Sequence, residues 1–169
     1  MQELDTILQE ATAAIPQEFF LLRVHGSDKT FYRERVYCYE LYHRMRLRWP
    51  DGCPYFLNGE IDKQGHPDFP DVSPKPDFLV HLVGHDDNDT IIEVKSANAD
   101  REGIEKDLAT LLHFRKYGYK RAIFLIFGLD PDTAHAKVVK CGTPEQRTAI
   151  ELWVHPNVGH PAFSVKMGV

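Results

Sequence analysis

Apolar positions along the chain alternate between two periods. Leu4, Ile7, Leu8 and Ala11 recur at helical spacing, which predicts a helix over 3–14 that Pro16 ends. The next stretch, "EFFLLRV", fits either an extension of that helix or the start of a strand. Ser27 or Asp28 can cap a long helix across roughly 29–48, with Phe31, Val36, Leu41, Met45 and Leu47 as its apolar positions and Pro50, Asp51 and Gly52 as its stop. "YFLNGEID" reads as a strand. "KQGHPDFPDVSPKP", broken by four prolines, reads as a loop. "DFLVHLVG" and "TIIEVKSA" are strands joined by "HDDND", a turn composition, and so short a link implies an antiparallel pair. Over 100–117, Ile104, Leu108, Leu111, Leu112 and Phe114 form the inner face of an amphipathic helix closed by Gly118. "RAIFLIFG" is almost continuously hydrophobic, as a central strand covered on both faces is. A helix follows Asp130–Pro131, and "AIELWVH" and "AFSVKM" are further strands. The order α-β-β-β-α-β-α-β predicts an α/β fold, a mixed sheet flanked by helices. With no internal repeat, linker or low-complexity segment, residues 1–169 read as a single domain.

Composition narrows the class. Apolar residues make up 43% and charged residues 27% of the 169, the balance of an ordinary globular chain with a sizeable core. No apolar run approaches the roughly 18 residues that cross a bilayer. The first twenty residues carry acids where a secretory signal has a basic region. Cys38, Cys53 and Cys141 are widely spaced and form no CxxC pair, so free thiols in a reducing cytoplasm are the simplest reading. The formal net charge is −5, which argues mildly against nucleic acid as a partner. Local potential matters more, however, and Arg33, Arg35, Arg44, Arg46 and Arg48 cluster in one segment.

The strand "TIIEVKSA" poses the chemical question. Ile91, Ile92 and Val94 mark it as core, yet Glu93 and Lys95 sit in its middle. Residues i and i+2 of a strand share a face, so the two charges project together while Ile92 and Val94 project to the other side. An antiparallel hairpin turning near 84–89 brings the start of the previous strand, Asp77, beside them. Two unit charges 4 Å apart interact by about 4 kcal/mol at an effective dielectric of 20, so paired carboxylates there repel when empty. A divalent cation removes the difficulty, and Mg²⁺ typically takes one or two carboxylates plus water and substrate phosphate. Such parts suit metal-assisted phosphodiester hydrolysis. The plain alternative is a salt-bridged pair on a solvated strand face.

"KPDFLVH" followed by "TIIEVKSA" resembles the PD-(D/E)XK nuclease superfamily, with its restriction-endonuclease-like fold. The motif here is Pro76, Asp77, then Glu93, Val94 and Lys95. A helix before it, a hairpin carrying it, and a helix and apolar strand after it extend the resemblance over about 31–128, as an α-β-β-β-α-β core. The resemblance implies a Mg²⁺- or Mn²⁺-dependent endonuclease. It implies Asp77 and Glu93 as metal-binding carboxylates, the Val94 main-chain carbonyl as a further ligand, and Lys95 as the catalytic lysine that orients and deprotonates a metal-bound water. Many members add a glutamate from the first core helix, for which "ERVYCYEL" offers Glu34 and Glu40. These are about 240° apart around a helix, so they do not share a face; Glu34 is preferred, the alternative for either being a solvated glutamate. Arg33, Arg35 and Arg44 are the candidate nucleic-acid contacts, DNA the expected partner, and pairing of two copies a route to cutting both strands.

Weaker signals are Glu60, as either a surface residue or a side chain near the metal, and Tyr37, Tyr39 and Tyr42, as either helix packing or stacking contacts to nucleic acid. His81 and His85 lie on a strand and a turn, where a zinc site lacks its structural context. Two other functions compete with the nuclease. One is a catalytically inactive protein of the same fold that binds nucleic acid or a protein partner. The other is an α/β interaction protein in which Asp77 lies far from Glu93.

Overall fold

The structure, a computed structural model, describes residues 1, 3–26, 28–61, 75–85 and 88–168. Most of the proline-rich loop at 63–76 lies outside the described residues. The N-terminal helical repeat forms α1 (Leu4–Ala13), with Leu4, Ile7, Leu8 and Ala11 buried. "EFFLLRV" divides into a short helix, α2 (Gln17–Phe20), and a strand, β1 (Leu22–Arg23), which pairs antiparallel with β2 (Thr30–Phe31). That pairing corrects the helix expected across roughly 29–48. The helix, α3, spans Glu34–Arg46, because Thr30 and Phe31 are extended against β1 and Arg33 stays extended with φ −121° and ψ 98°. Asp28 is therefore not its cap. Glu34 becomes the first helical residue, where unsatisfied N–H groups favour an acid.

Six strands then form one mixed sheet in chain order: β3 (Phe56–Gly59), β4 (Phe78–His81), β5 (Asn88–Ser96), β6 (Arg121–Phe127), β7 (Glu151–His155) and β8 (Phe163–Val165). The pairs β3–β4, β4–β5 and β7–β8 are antiparallel, whereas β5–β6 and β6–β7 are parallel. Each parallel step needs a crossover. The first is α4 (Arg101–Lys116), capped by Asp100, whose Oδ1 accepts from Gly103 N–H at 2.8 Å. The second is made of α5 (Pro131–Cys141), capped by Asp130, and α6 (Pro144–Ala149). The reading of the sequence omitted α6. Its start, Thr143-Pro-Glu-Gln146, is a reciprocal capping box in which each side chain satisfies the other residue's N–H.

Both faces of the sheet are covered. On one, Val80, Ile92, Val94, Ile123, Leu125 and Phe127 pack against α1 and α3. On the other, Leu79, Ile91, Phe124 and Ile126 pack against Ile104, Leu108, Leu111 and Phe114 of α4. Central β6 supplies alternate residues to both layers, which explains its unbroken hydrophobicity. Each such side chain stabilises the fold by about 1.5–3 kcal/mol relative to exposure. An aromatic cluster closes the first layer: Tyr37 stacks on Phe127 at 3.9 Å, and its hydroxyl shares a 2.8 Å hydrogen bond with His155 Nδ1. Burial pushes the His155 pKa down to about 4, which keeps that ring neutral. Among the described residues, no helix is long and apolar enough to cross a membrane.

Candidate active site

The register of β4 on β5 decides what meets. Phe78 pairs with Ile92 and Leu79 with Ile91, so the next rung outward sets Asp77 beside Glu93. Backbone N–H groups lock that rung. Val94 N–H donates to Asp77 Oδ2 at 2.7 Å, and Asp77 N–H donates to Glu93 Oε2 at 3.4 Å. Strand parity turns Ile92 and Val94 into the α1–α3 layer and leaves Glu93 and Lys95 to project to the other side. The Lys95 ammonium reaches two helices. It donates to Glu34 Oε1 at 3.0 Å and forms an ion pair with Asp107 Oδ2 at 2.8 Å. The Asp107 contact lies outside hydrogen-bonding geometry, and that oxygen has no directed partner among the described residues. Ser96 N–H donates to Glu34 Oε2 at 3.4 Å.

These groups line a cleft of about 660 Å³, with Lys75, Lys106 and His113 also in its walls. It lies near the carboxyl end of β5, beside parallel β6, where open α/β sheets characteristically bind ligands. Four carboxylates, from Glu34, Asp77, Glu93 and Asp107, outnumber the three ammonium groups of Lys75, Lys95 and Lys106 in this lining. Burial pushes the Asp77 carboxyl up to about 6; the Val94 N–H and Lys95 oppose the shift, and Asp107 and Glu34 add to it. Burial, then Asp107 and Asp77, push Glu93 well above the usual carboxylate range. Asp107 is raised by burial despite Lys95. For Lys95 burial works against the charge, but Asp107 and Glu34 outweigh it and its pKa rises. Burial, followed by the charges of Asp77 and Glu34, pushes the nearby Cys38 thiol well up; a thiol held protonated is a poor nucleophile.

The donor chemistry fits a hard divalent cation. Asp77, Glu93 and the Val94 main chain offer oxygen ligands of the kind Mg²⁺ and Mn²⁺ take. Four carboxylates against the ammonium groups of Lys75, Lys95 and Lys106 leave a formal surplus of one negative charge, which an empty cleft must tolerate at a cost. Among the described residues, no three or more His, Cys, Asp or Glu side chains are arranged as a closed metal cage. Glu34 and Asp107 are turned to Lys95 instead. Asp77 and Glu93 are the two carboxylates left that could hold such an ion.

Sequence reasoning brought Glu34, Asp77, Glu93 and Lys95 together and missed Asp107. A signal for it existed: Asp107 stands three residues after Ile104 and four before Leu111, on the buried stripe of α4, where a carboxylate requires a partner. Glu40 accepts from Arg44 Nε at 2.6 Å and does not line the cleft. Nor do Arg33, Arg35 and Arg44: Arg33 lies over the Phe31 ring at 5.4 Å, and Arg35 faces Glu60 at 3.5 Å. Glu60 holds a left-handed backbone with φ +47°, and its N–H donates to Asp77 O at 3.1 Å. Its carboxylate belongs to the Arg35 pair. His81 Nε2 and Asn58 Oδ1 lie 2.8 Å apart. Tyr37 is core, Tyr42 stacks on Phe78, and Tyr39 is 60% exposed. No protein-family model, curated protein or solved structure matches the chain.

Proposed function

We propose that the chain is a Mg²⁺- or Mn²⁺-dependent nuclease of the PD-(D/E)XK type, acting on phosphodiester bonds, most readily those of DNA. The observation that carries this reading is the meeting of Asp77 and Glu93 on adjacent strands with the Lys95 ammonium on the same face. The order α3-β3-β4-β5-α4-β6 supports a restriction-endonuclease-like core. Asp77, Glu93 and the Val94 carbonyl would hold the ion, which when bound activates a water and neutralises phosphoryl charge. Lys95 is gripped by two carboxylates at 3.0 and 2.8 Å, an environment that favours the ammonium. Its part is to steer the phosphate and stabilise charge developing on the phosphoryl oxygens, in place of the deprotonating role the motif suggests. Glu34 and Asp107 hold that ammonium in position from two helices.

Incubation of plasmid and single-stranded DNA with Mg²⁺ or Mn²⁺ tests the reading. Nicking or cleavage is expected from the native chain and not from Asp77→Ala or Lys95→Ala. Equal activity in all three would remove the proposed site. The second reading, a catalytically inactive binder of the same fold, draws on the lack of a three-side-chain metal cage among the described residues. DNA binding that persists unchanged without any divalent ion, and without cleavage when one is added, would select it.

A further inference from the structure

We propose that α3 carries a stacking site for an unpaired nucleotide, centred on Tyr39 and continuous with the Asp77 cleft; the proposal rests on the nuclease reading. A second cavity of about 320 Å³ adjoins the first and shares Asp77 with it. Tyr39, Tyr42, Asn58, Glu60 and Phe78 complete its main walls. Of the three tyrosines on α3, Tyr37 is buried and Tyr42 half-buried against Phe78, whereas Tyr39 leaves 60% of its surface to solvent. Among the described residues, packing accounts for only part of this large aromatic side chain.

Its neighbours on the helix surface are basic. Arg35, Tyr39, Tyr42 and Arg46 fall within about 60° of one another at 100° per residue, a stripe about 16 Å long. Arg35 is 72% exposed on its side chain, and Arg46 and His43 are exposed. Glu60 is the acid on this rim, and it faces Arg35 at 3.5 Å. Tyr39 and Tyr42 of the stripe line the cavity that meets the cleft at Asp77. A strand whose phosphate sits at Asp77 and Glu93 can thus lay its neighbouring base on Tyr39 and its next phosphates toward the arginines. Interleaved aromatic and basic groups are how proteins hold single strands without reading sequence.

The geometry also selects the substrate class. A base inside a duplex already stacks on its neighbours and shows no free face to a tyrosine. The site therefore takes a single strand, an overhang or an unpaired nucleotide.

Fluorescence titration of the full chain with Mg²⁺ present tests this, using a short cleavage-resistant phosphorothioate DNA strand containing 2-aminopurine and the same strand annealed to its complement. Native protein binds the single strand with a change in 2-aminopurine emission. Tyr39→Ala weakens that binding by about fivefold or more, the usual worth of one stacked base, and abolishes the emission change. Tyr39→Phe keeps both, and duplex binding is alike in all three. Single-strand binding and emission unchanged in Tyr39→Ala overturn the proposal. Cleavage assays on the same proteins separate the two readings. If cleavage requires Asp77 while Tyr39→Ala binds and cuts single strands as the native chain does, the nuclease stands and the stacking site falls. If Tyr39→Ala loses single-strand binding but the native chain never cuts, the stacking site stands and the nuclease falls.

Discussion

The sheet carries charge clusters at opposite ends of its parallel strands, and they are built on opposite terms. At the start of β6, Arg121 meets Glu151 through two hydrogen bonds of 2.7 and 2.6 Å and Asp5 at 2.7 Å. Partial burial raises the Glu151 carboxyl, but Arg121 outweighs it and the pKa ends below the ordinary value. Near the end of β5, four carboxylates outnumber the ammonium groups beside them, and Asp77 and Glu93 are pushed upward. In the first cluster the guanidinium keeps the Glu151 carboxylate charged within the protein alone. The second is frustrated within the protein alone, and such frustration is characteristic of sites that complete themselves with a ligand.

The largest effects are expected from removing the charged groups of the cleft. Asp77→Ala or Lys95→Ala should lower Mg²⁺-dependent cleavage by at least about 10²–10³-fold, the loss typical of a group that stabilises transition-state charge. Asp107→Asn loosens the grip on Lys95 without touching the ion. Its effect should be about 10–100-fold on kcat, the range seen when a supporting partner of a metal site is lost, with Mn²⁺ affinity retained. An unchanged kcat would show that Asp107 is only a packing residue.

Stability should respond in opposite directions at the two ends. In metal-free protein at pH 7, Glu93→Gln relieves repulsion and should raise Tm, whereas Glu151→Gln breaks a matched pair and should lower it. Because Glu151 is more than a third exposed, its loss is worth about 1 kcal/mol at most, or about 2–4 °C. Shifts of the same sign would erase the contrast. A smaller effect concerns pH. The Asp77 carboxyl titrates near 6 folded against an ordinary 3.8, so between those values the folded chain binds more protons than the unfolded one. Stability therefore falls as pH rises through that window. Metal-free protein should gain Tm on acidification from pH 7 toward 5, and Asp77→Asn should gain less.

Much of this was legible in the residues. The 2- and 3.6-residue periods located most elements, and the Asp77–Glu93 rung followed from strand parity and a short turn. The start of α3 was not, because the two-residue pairing of Thr30–Phe31 with Leu22–Arg23 is tertiary and leaves almost no local pattern. Helix α6 was legible in principle through its Thr143–Gln146 capping box. Asp107 was half legible: its place on an apolar stripe signals a buried acid, but only the folded chain shows that its partner is Lys95. Sequence clustering does not tell which face of α3 each arginine occupies. Arg44 is spent on Glu40, while Arg35 and Arg46 share the exposed stripe with Tyr39.

Calorimetric titration of Mn²⁺ into the native chain and into Glu93→Gln tests the central claim most directly. Saturable binding of one ion to the native protein, lost or strongly weakened in the variant while the variant stays folded, is the predicted result. Identical titrations for the two proteins would contradict it.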